Sequence, residues 1–409
     1  MSRRRVVITG VGMVTPLGAS VAQTWEGAIA GRSAVGPITR FDATGFPVTF
    51  AAEAADPVDR SASGVPSDLR SAVSDLKGRL AYAAINEALT MARWERGGGR
   101  VGVCVGSEAE RPSLPDLARR NRTGLLPTAA ELQALAPGAP TALAAALSGA
   151  TGPASTVSTA CTSSSQAVGE GLLRIRRGEV DAMLVGGVDV LVDPIMVTGF
   201  ALLGALSTRN DAPQRASRPF DIDRDGFVLG EGAGFLVLEE LSRAEARGVT
   251  PLGELTGYGC SCNAYRITDS PPDGRGAAAA MSWALEDAGL TPADIGYINA
   301  HGTSTPMNDA SETAGIHRAF GAHSRAVPVS STKSMMGHLV AACGAVEAIL
   351  ALLAVREGVL PPTINLDNPD PACDLDHVAN QARPAKLRHA ITNAFGFGGS
   401  NGSLVVSAL

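Results

Sequence analysis

The sequence predicts an α/β protein made of two comparable halves, and three observations support this. Short β-rich runs alternate with helical ones along the whole chain, glycine and proline punctuate the joints, and the alternation starts afresh near residue 250 with no polar linker between. With 409 residues, 45% of them hydrophobic, the chain has material for a large two-part core and is no disordered chain.

Taken in order, Val6 to Thr9 reads as a buried strand, Ser20 as the cap of a helix through Arg32, Leu76 to Trp94 as a helix and Val101 to Val105 as a strand. Arg111 to Pro140 has leucine, alanine and proline without clean periodicity, so it reads as an excursion from the scaffold. Order returns with a strand at Thr156 to Thr159, a helix at Ser163 to Arg177 and a strand at Ala182 to Gly186. The second series runs through Leu236 to Glu239, Gly253 to Tyr258, a helix at Gly276 to Ala288, Ile295 to Ala300, a helix at Ala310 to Phe320, Val327 to Ser330 and a helix at Val340 to Val355. A strand pair near Ile391 and Leu404 closes it. The expected domains are therefore residues 1–250 and 251–409.

Composition excludes several classes of function. No apolar run reaches the roughly 20 residues of a membrane span. Net charge is −6 with no basic block, so nucleic acid is not an expected partner. The basic start, Met1 to Arg5, resembles the prelude of a signal peptide, but the apolar run after it stops at Gly10; it reads as a first strand and the chain as cytoplasmic. Six cysteines without a Cys-x-x-Cys pair, and no His-Glu-x-x-His, point to free thiols and no metal. Gly10-Val-Gly12 lacks the third glycine of a dinucleotide fingerprint, with Thr15 and Pro16 in its place. Asp221 to Gly226 opens like a calcium loop, yet Gly232 stands where the closing glutamate belongs. Only three of 34 basic residues are lysines, Lys77, Lys333 and Lys386, so a lysine that recurs beside candidate chemistry is informative.

One constellation remains. Cys161, in Thr159-Ala160-Cys161-Thr162-Ser163, falls between an expected strand and an expected helix, where free N–H groups and the helix dipole would stabilise a thiolate and lower the thiol pKa. It is either a nucleophile or a small buried thiol. His301 and His338 both follow strands, at the end of the sheet where α/β proteins place reactive groups; His338 belongs to Lys333-Ser334-Met335-Met336-Gly337-His338, just ahead of the helix bearing Glu347. A cysteine protease needs one histidine, which leaves the second and Lys333 unexplained.

These residues, in this order, resemble the elongating β-ketoacyl-acyl-carrier-protein synthases of the thiolase superfamily, of the dissociated fatty-acid and type II polyketide kind. The resemblance runs from Val7-Ile8-Thr9-Gly10-Val11-Gly12 through Thr159-Ala160-Cys161, Arg218-Pro219-Phe220-Asp221 and Asn299-Ala300-His301-Gly302-Thr303-Ser304-Thr305 to Asn393-Ala394-Phe395-Gly396-Phe397-Gly398-Gly399-Ser400-Asn401. It implies two similar halves stacked in five layers (α-β-α-β-α), with dimerisation through the first half. It also implies Cys161 as acyl acceptor, His301 and His338 as donors to a malonyl thioester, and Lys333 paired with Glu347 as an orienting group. Phe397 would be a gate among glycines; Phe395, Thr303, Thr305, Gly398, Glu108 and Ala109 would contact substrate. No cofactor is implied, because malonyl decarboxylation drives the reaction.

Departures from the family pattern concentrate in two places. Glu108 and Ala109 stand where the family has Gly-rich sequence, and Asn263 and Arg266 stand where it tends to have aspartate and histidine. They suggest a specialised enzyme with a non-standard acyl chain or an unlike partner. An acyl carrier protein is the expected macromolecular partner, with a second subunit that is a like copy or a chain-length-factor-like one. The alternatives are a catalytically silent chain-length-factor-like subunit, a thiolase and a non-catalytic scaffold. Chain-length factors lack the nucleophile, and a thiolase needs a second cysteine near the C-terminus, where Cys373 falls outside the Gly396 to Asn401 loop.

Overall fold

The computed structural model describes residues 3–57, 69–96, 99–110 and 114–409. Its main sheet has eleven strands: β1 (Val6–Val14), β2 (Val101–Gly106), β3 (Ala154–Val157), β4 (Ala182–Asp189), β5 (Gly232–Glu240), β6 (Gly253–Cys262), β7 (Tyr297–Asn299), β8 (Pro328–Ser330), β9 (Asp376–His377), β10 (His389–Phe395) and β11 (Ser400–Ser407). The helices that position the site are α1 (Leu76–Met91), α2 (Ser163–Arg176), α3 (Pro194–Leu202), α4 (Arg275–Ala288), α5 (Pro306–Phe320) and α6 (Cys343–Glu357).

The strand order is β3-β2-β4-β5-β1 and then β6-β11-β10-β7-β8-β9. Outward from the junction, β1 meets β5 and β5 meets β4 antiparallel, whereas β4–β2 and β2–β3 are parallel. The second half repeats this: β6–β11 and β11–β10 are antiparallel, β10–β7 and β7–β8 parallel. The halves thus share one topology and are related by an approximate two-fold. Between them, β1 and β6 pair only at Val7↔Glu254 and Ile8↔Gly253.

The strands of each half pack on the central helices. Both α2 and α6 contact strands of the two halves and each other, while α1 covers β1 and β5 and α4 covers β6 and β11. This gives the five α-β-α-β-α layers. Burial follows: every residue of α6 from Cys343 to Val355 is buried, as befits a helix apolar on all sides. Two glycines make the central contacts possible. A Cβ on Gly344 would lie 2.0 Å from Ser165 Oγ and 2.7 Å from its backbone N, and one on Gly106 would lie 2.4 Å from Ser164 N. No helix among the described residues is long and apolar enough to cross a membrane.

Several boundaries differ from the sequence expectation. Ser20 does cap its helix, accepting from Gln23 N, but the helix ends at Ile29. The strand expected at 156–159 covers Ala154–Val157, because the chain turns at Ala160 with φ +51°. The stretch expected to be an excursion holds helices Leu114–Thr123 and Ala129–Leu135; its first residues, Arg111 to Ser113, lie outside the described ones. Leu126 and Leu132 in this region are exposed. Helices on the surface need no apolar stripe toward this chain's core, which explains the missing periodicity.

Gly106→Ala should cost about 1–3 kcal/mol through overpacking against α2. A melting temperature unchanged from the parent protein, by circular dichroism, would contradict the close approach described here.

Candidate active site

Cys161 sits on a single helical turn, Ala160–Thr162, that runs into α2. His301 ends the stretch after β7, where its own backbone N–H and that of Gly302 donate to the buried Glu312 of α5 at 2.9 and 2.8 Å. His338 is pinned from the other side: its N–H donates to Val228 O at 2.7 Å and its carbonyl accepts from Gly230 N at 3.0 Å. These three turns bring Cys161 Sγ to 2.9 Å from His338 Nε2, and one ligand-type atom of each of the three side chains falls within 4.8 Å of the others. The imidazole rings meet edge to face with centroids 5.3 Å apart.

Val340 N donates to His338 Nδ1 at 3.3 Å. That bond uses the Nδ1 lone pair, so the network assigns the proton of the neutral ring to Nε2, and His338 faces Cys161 as a donor. Both imidazoles are held uncharged: burial pushes each well below the usual histidine range, and the Lys333 ammonium lowers them further. Lys333 itself is buried and pairs with Glu347. Burial opposes its charge, but Glu347 outweighs that and holds the ammonium protonated above its ordinary value.

The thiol differs from the sequence expectation. It stands at the expected helix tip, yet burial pushes the Cys161 pKa up to about 12. Lys333 and the backbone N–H groups of Phe397 and Cys161 itself pull the other way without overcoming desolvation. The resting group is a buried, neutral thiol with two N–H donors aimed at it. At 2.9 Å the sulfur and the imidazole nitrogen are hydrogen-bonded, closer than the roughly 3.5 Å that separates two ligands of one tetrahedral zinc.

A cavity of about 400 Å³ opens onto these groups. Its inner wall is apolar, with Leu191, Met196, Phe200 and Phe227, and its rim includes the exposed Leu203 and Met307. Of the substrate contacts expected from sequence, Glu108, Thr303, Thr305, Phe395 and Phe397 line it. Ala109 is exposed and does not, and Gly398 stands outside the lining, with φ +82° in the loop that bears Phe397. Lys333 and Glu347 also lie behind the wall rather than in it. The Phe397 ring is half-buried, 6.4 Å from that of Phe200.

Sequence reasoning missed the parts that Glu312, Asp189 and Lys77 take in the site. Glu312 was readable: Asp309, Glu312, Ile316 and Phe320 share the buried face of α5, and a carboxylate on an apolar face has to be answering backbone donors. Asp189, at the end of β4, accepts from Ala341 N at 3.1 Å.

Residues 3–244 match the model of the beta-ketoacyl synthase N-terminal domain and residues 252–367 that of its C-terminal domain. The chain belongs to the β-ketoacyl synthase family. This synthase is 42% identical to the 3-oxoacyl-[acyl-carrier-protein] synthase 2 of Synechocystis sp., over 99% of this chain and 98% of the relative. It is 43% identical to the protein of the same name from Coxiella burnetii, over 100% and 99%. Among solved structures, a β-ketoacyl synthase from Burkholderia phymatum superposes with a TM-score of 0.90 at 35% identity, covering 99% of this chain and all of that one. A type II PKS ketosynthase solved in complex with its acyl-carrier protein and bound to the hexaketide superposes at 0.87 and 31%, covering both chains fully.

Below a pKa near 12, the thiolate fraction of Cys161 rises about tenfold per pH unit. Alkylation of Cys161 by iodoacetamide should therefore climb steadily between pH 6 and 9, read as loss of the unmodified Cys161 peptide, since the exposed Cys260 and Cys262 also react. A plateau below pH 8 would show a thiol activated at rest.

Proposed function

We propose that the synthase carries out a decarboxylative Claisen condensation, joining an acyl chain held on Cys161 to malonyl-acyl carrier protein and releasing 3-oxoacyl-acyl carrier protein. The observation that carries this is the pair of uncharged, buried imidazoles converging on one buried thiol beside an apolar cavity.

In the first half-reaction Cys161 Sγ attacks the thioester carbonyl of the acyl carrier. The carbon–sulfur bond to the carrier breaks, and the thiol proton leaves with the carrier thiol. The N–H groups of Cys161 and Phe397 face the sulfur, and so are placed to receive the developing oxyanion. In the second half-reaction the malonyl thioester loses carbon dioxide, and the electrons of that bond become an enolate. His338, with its proton on Nε2, and His301 donate to the enolate oxygen; a neutral donor suits this role because it does not surrender its proton to the carbanion. The carbanion attacks the acyl-Cys161 carbonyl, the carbon–sulfur bond breaks, and the departing thiolate takes up one proton from solvent to regenerate the thiol. Lys333 and Glu347 act through the histidines: burial holds the two imidazoles neutral, and the fixed ammonium beside them adds to that.

Phe397 is the gate in this reading. Gly398 and Gly399 on its C-terminal side both have φ +82°, a backbone region that costs glycine little, which gives the loop the freedom to swing the ring away from Phe200. Thr303 and Thr305, whose hydroxyls are 3.0 Å apart at the cavity wall, would orient the malonyl carrier arm. The partner is an acyl carrier protein, as the names of the relatives suggest, and the synthase works in the cytoplasm as half of a dimer. The departures at Ala109, Asn263 and Arg266 support a specialised biosynthetic role. A silent chain-length-factor-like subunit is the second reading; the complete Cys161, His301 and His338 set disfavours it.

Incubation with carrier protein loaded with an acyl thioester should add one acyl mass to the synthase, and Cys161→Ala should abolish the addition. His301→Ala or His338→Ala should lower carbon dioxide release from malonyl-acyl carrier protein by about 100- to 1000-fold while leaving the acyl mass on Cys161. Release at the parent rate in both histidine variants would overturn the assignment.

A further inference from the structure

Four groups that the condensation does not use directly, Lys77, Glu108, Glu110 and Asp189, lie together beside the reacting turns. Lys77, on α1, is 4% exposed. Its ammonium donates to Glu108 O at 2.5 Å and lies 3.3 Å from Glu110 Oε1 and 3.6 Å from Asp189 Oδ1. From there the contacts divide. Toward the nucleophile, the Glu108 carboxylate accepts from Ala160 N at 3.0 Å, from Ser163 Oγ at 3.2 Å and from Ser158 Oγ at 2.7 Å. Toward the histidine, the fully buried Asp189 accepts from Ala341 N at 3.1 Å, three residues after His338.

Both turns held this way are strained. Ala160 has φ +51° and Val340 φ +43°, in the left-handed region that non-glycine residues avoid and β-branched ones avoid most. Such conformations persist only where the surroundings over-determine them. Here a carboxylate grips an N–H in each turn, and the two carboxylate-bearing segments are drawn to one cation. Burying Lys77 has a desolvation cost that a surface lysine would not incur. Asp189 and Glu110 would otherwise stand without this counter-charge.

We propose that Lys77 is a positioning residue for the condensation, its buried ammonium holding, through Glu108 and Asp189, the two turns that present Cys161 and His338 to each other. In this assignment Glu108 serves the nucleophile's backbone rather than reading the acyl chain. The inference rests on the condensation reading for its consequence, though its geometry does not.

Two measurements separate the two. Alkylation of Cys161 by iodoacetamide needs no substrate, and steady-state condensation needs both. Lys77→Met should lower kcat by roughly 10- to 100-fold, the scale of a misplaced reacting group, with KM for malonyl-acyl carrier protein within about twofold. It should also shift the alkylation rate measurably at fixed pH. Since Lys77→Met leaves buried carboxylates unpaired and can fail to fold, Glu108→Ala and Glu108→Gln form the second arm. Glu108→Ala should lower kcat in the same way; Glu108→Gln, whose amide oxygen still accepts from Ala160 N, should recover most of it. A purely structural role would lower the melting temperature and leave kcat per folded site and the alkylation rate unchanged, and that result would overturn the proposal. Equal loss in Glu108→Gln and Glu108→Ala would overturn it too. A parent protein that is alkylated normally but releases no carbon dioxide would instead sink the condensation reading, with the alkylation arm still deciding the role of Lys77.

Discussion

Two helix starts meet at the centre of this molecule, and the chemistry depends on how closely they meet. The N-terminus of α2 presents Cys161, and the turn before α6 presents His338. Their contact requires Gly344 against Ser165, whose Oγ and backbone N already fill the space for a Cβ, while Gly106 of β2 lets the backbone of Ser164 seat α2 in the same way. Once the helices are seated, further bonds sew the seam: Cys343 Sγ donates to Cys161 O at 3.2 Å and Ser164 Oγ accepts from Ala345 N at 3.0 Å. Close packing of this kind has no soft direction, so a small displacement in one half is felt in the other.

The second organising fact is where charge has been allowed. Thiol and imidazoles are buried and neutral, while one ion pair, Lys333 with Glu347, stands immediately behind them. A low-dielectric pocket strengthens whatever field is fixed in it. An ammonium in that position opposes protonation of both histidines and favours negative charge on sulfur; in the proposed condensation it would favour the enolate too. The site therefore need not store a reactive anion at rest; it is arranged to stabilise one when bonds rearrange, which is how preorganised dipoles and charges lower a barrier.

Much of this was legible in the sequence, and the limits have physical causes. The halves were readable because strands buried on both faces are apolar runs, and because helices repeat the 3.6-residue pattern wherever they cover a core. Cys161, His301 and His338 were readable because each follows a strand, at the end where α/β sheets gather chemistry. The thiol pKa was not, since helix-tip position is local and desolvation is a property of everything packed around the sulfur. Ala109 and Glu108 are adjacent in sequence yet end in different environments, one exposed and one at the cavity, because Glu108 alone has a carboxylate that answers Ser158 Oγ and Ala160 N. Asp189 and Lys77 are contributed by distant segments, and no spacing rule joins them.

The repeated strand order of the halves leads somewhere unexpected. The bend that delivers Cys161 has a twin: Ala160 precedes one central helix and Val340 the other, both with left-handed backbone. Only one of the pair bears sulfur; Ala341 occupies the matching place in its sibling. One contortion is thus performed twice, once to carry the sulfur on the residue that follows it and once beside the imidazole that meets that sulfur, with Val340 N donating to His338 Nδ1. The repeat in the chain supplies both sides of the thiol–imidazole contact.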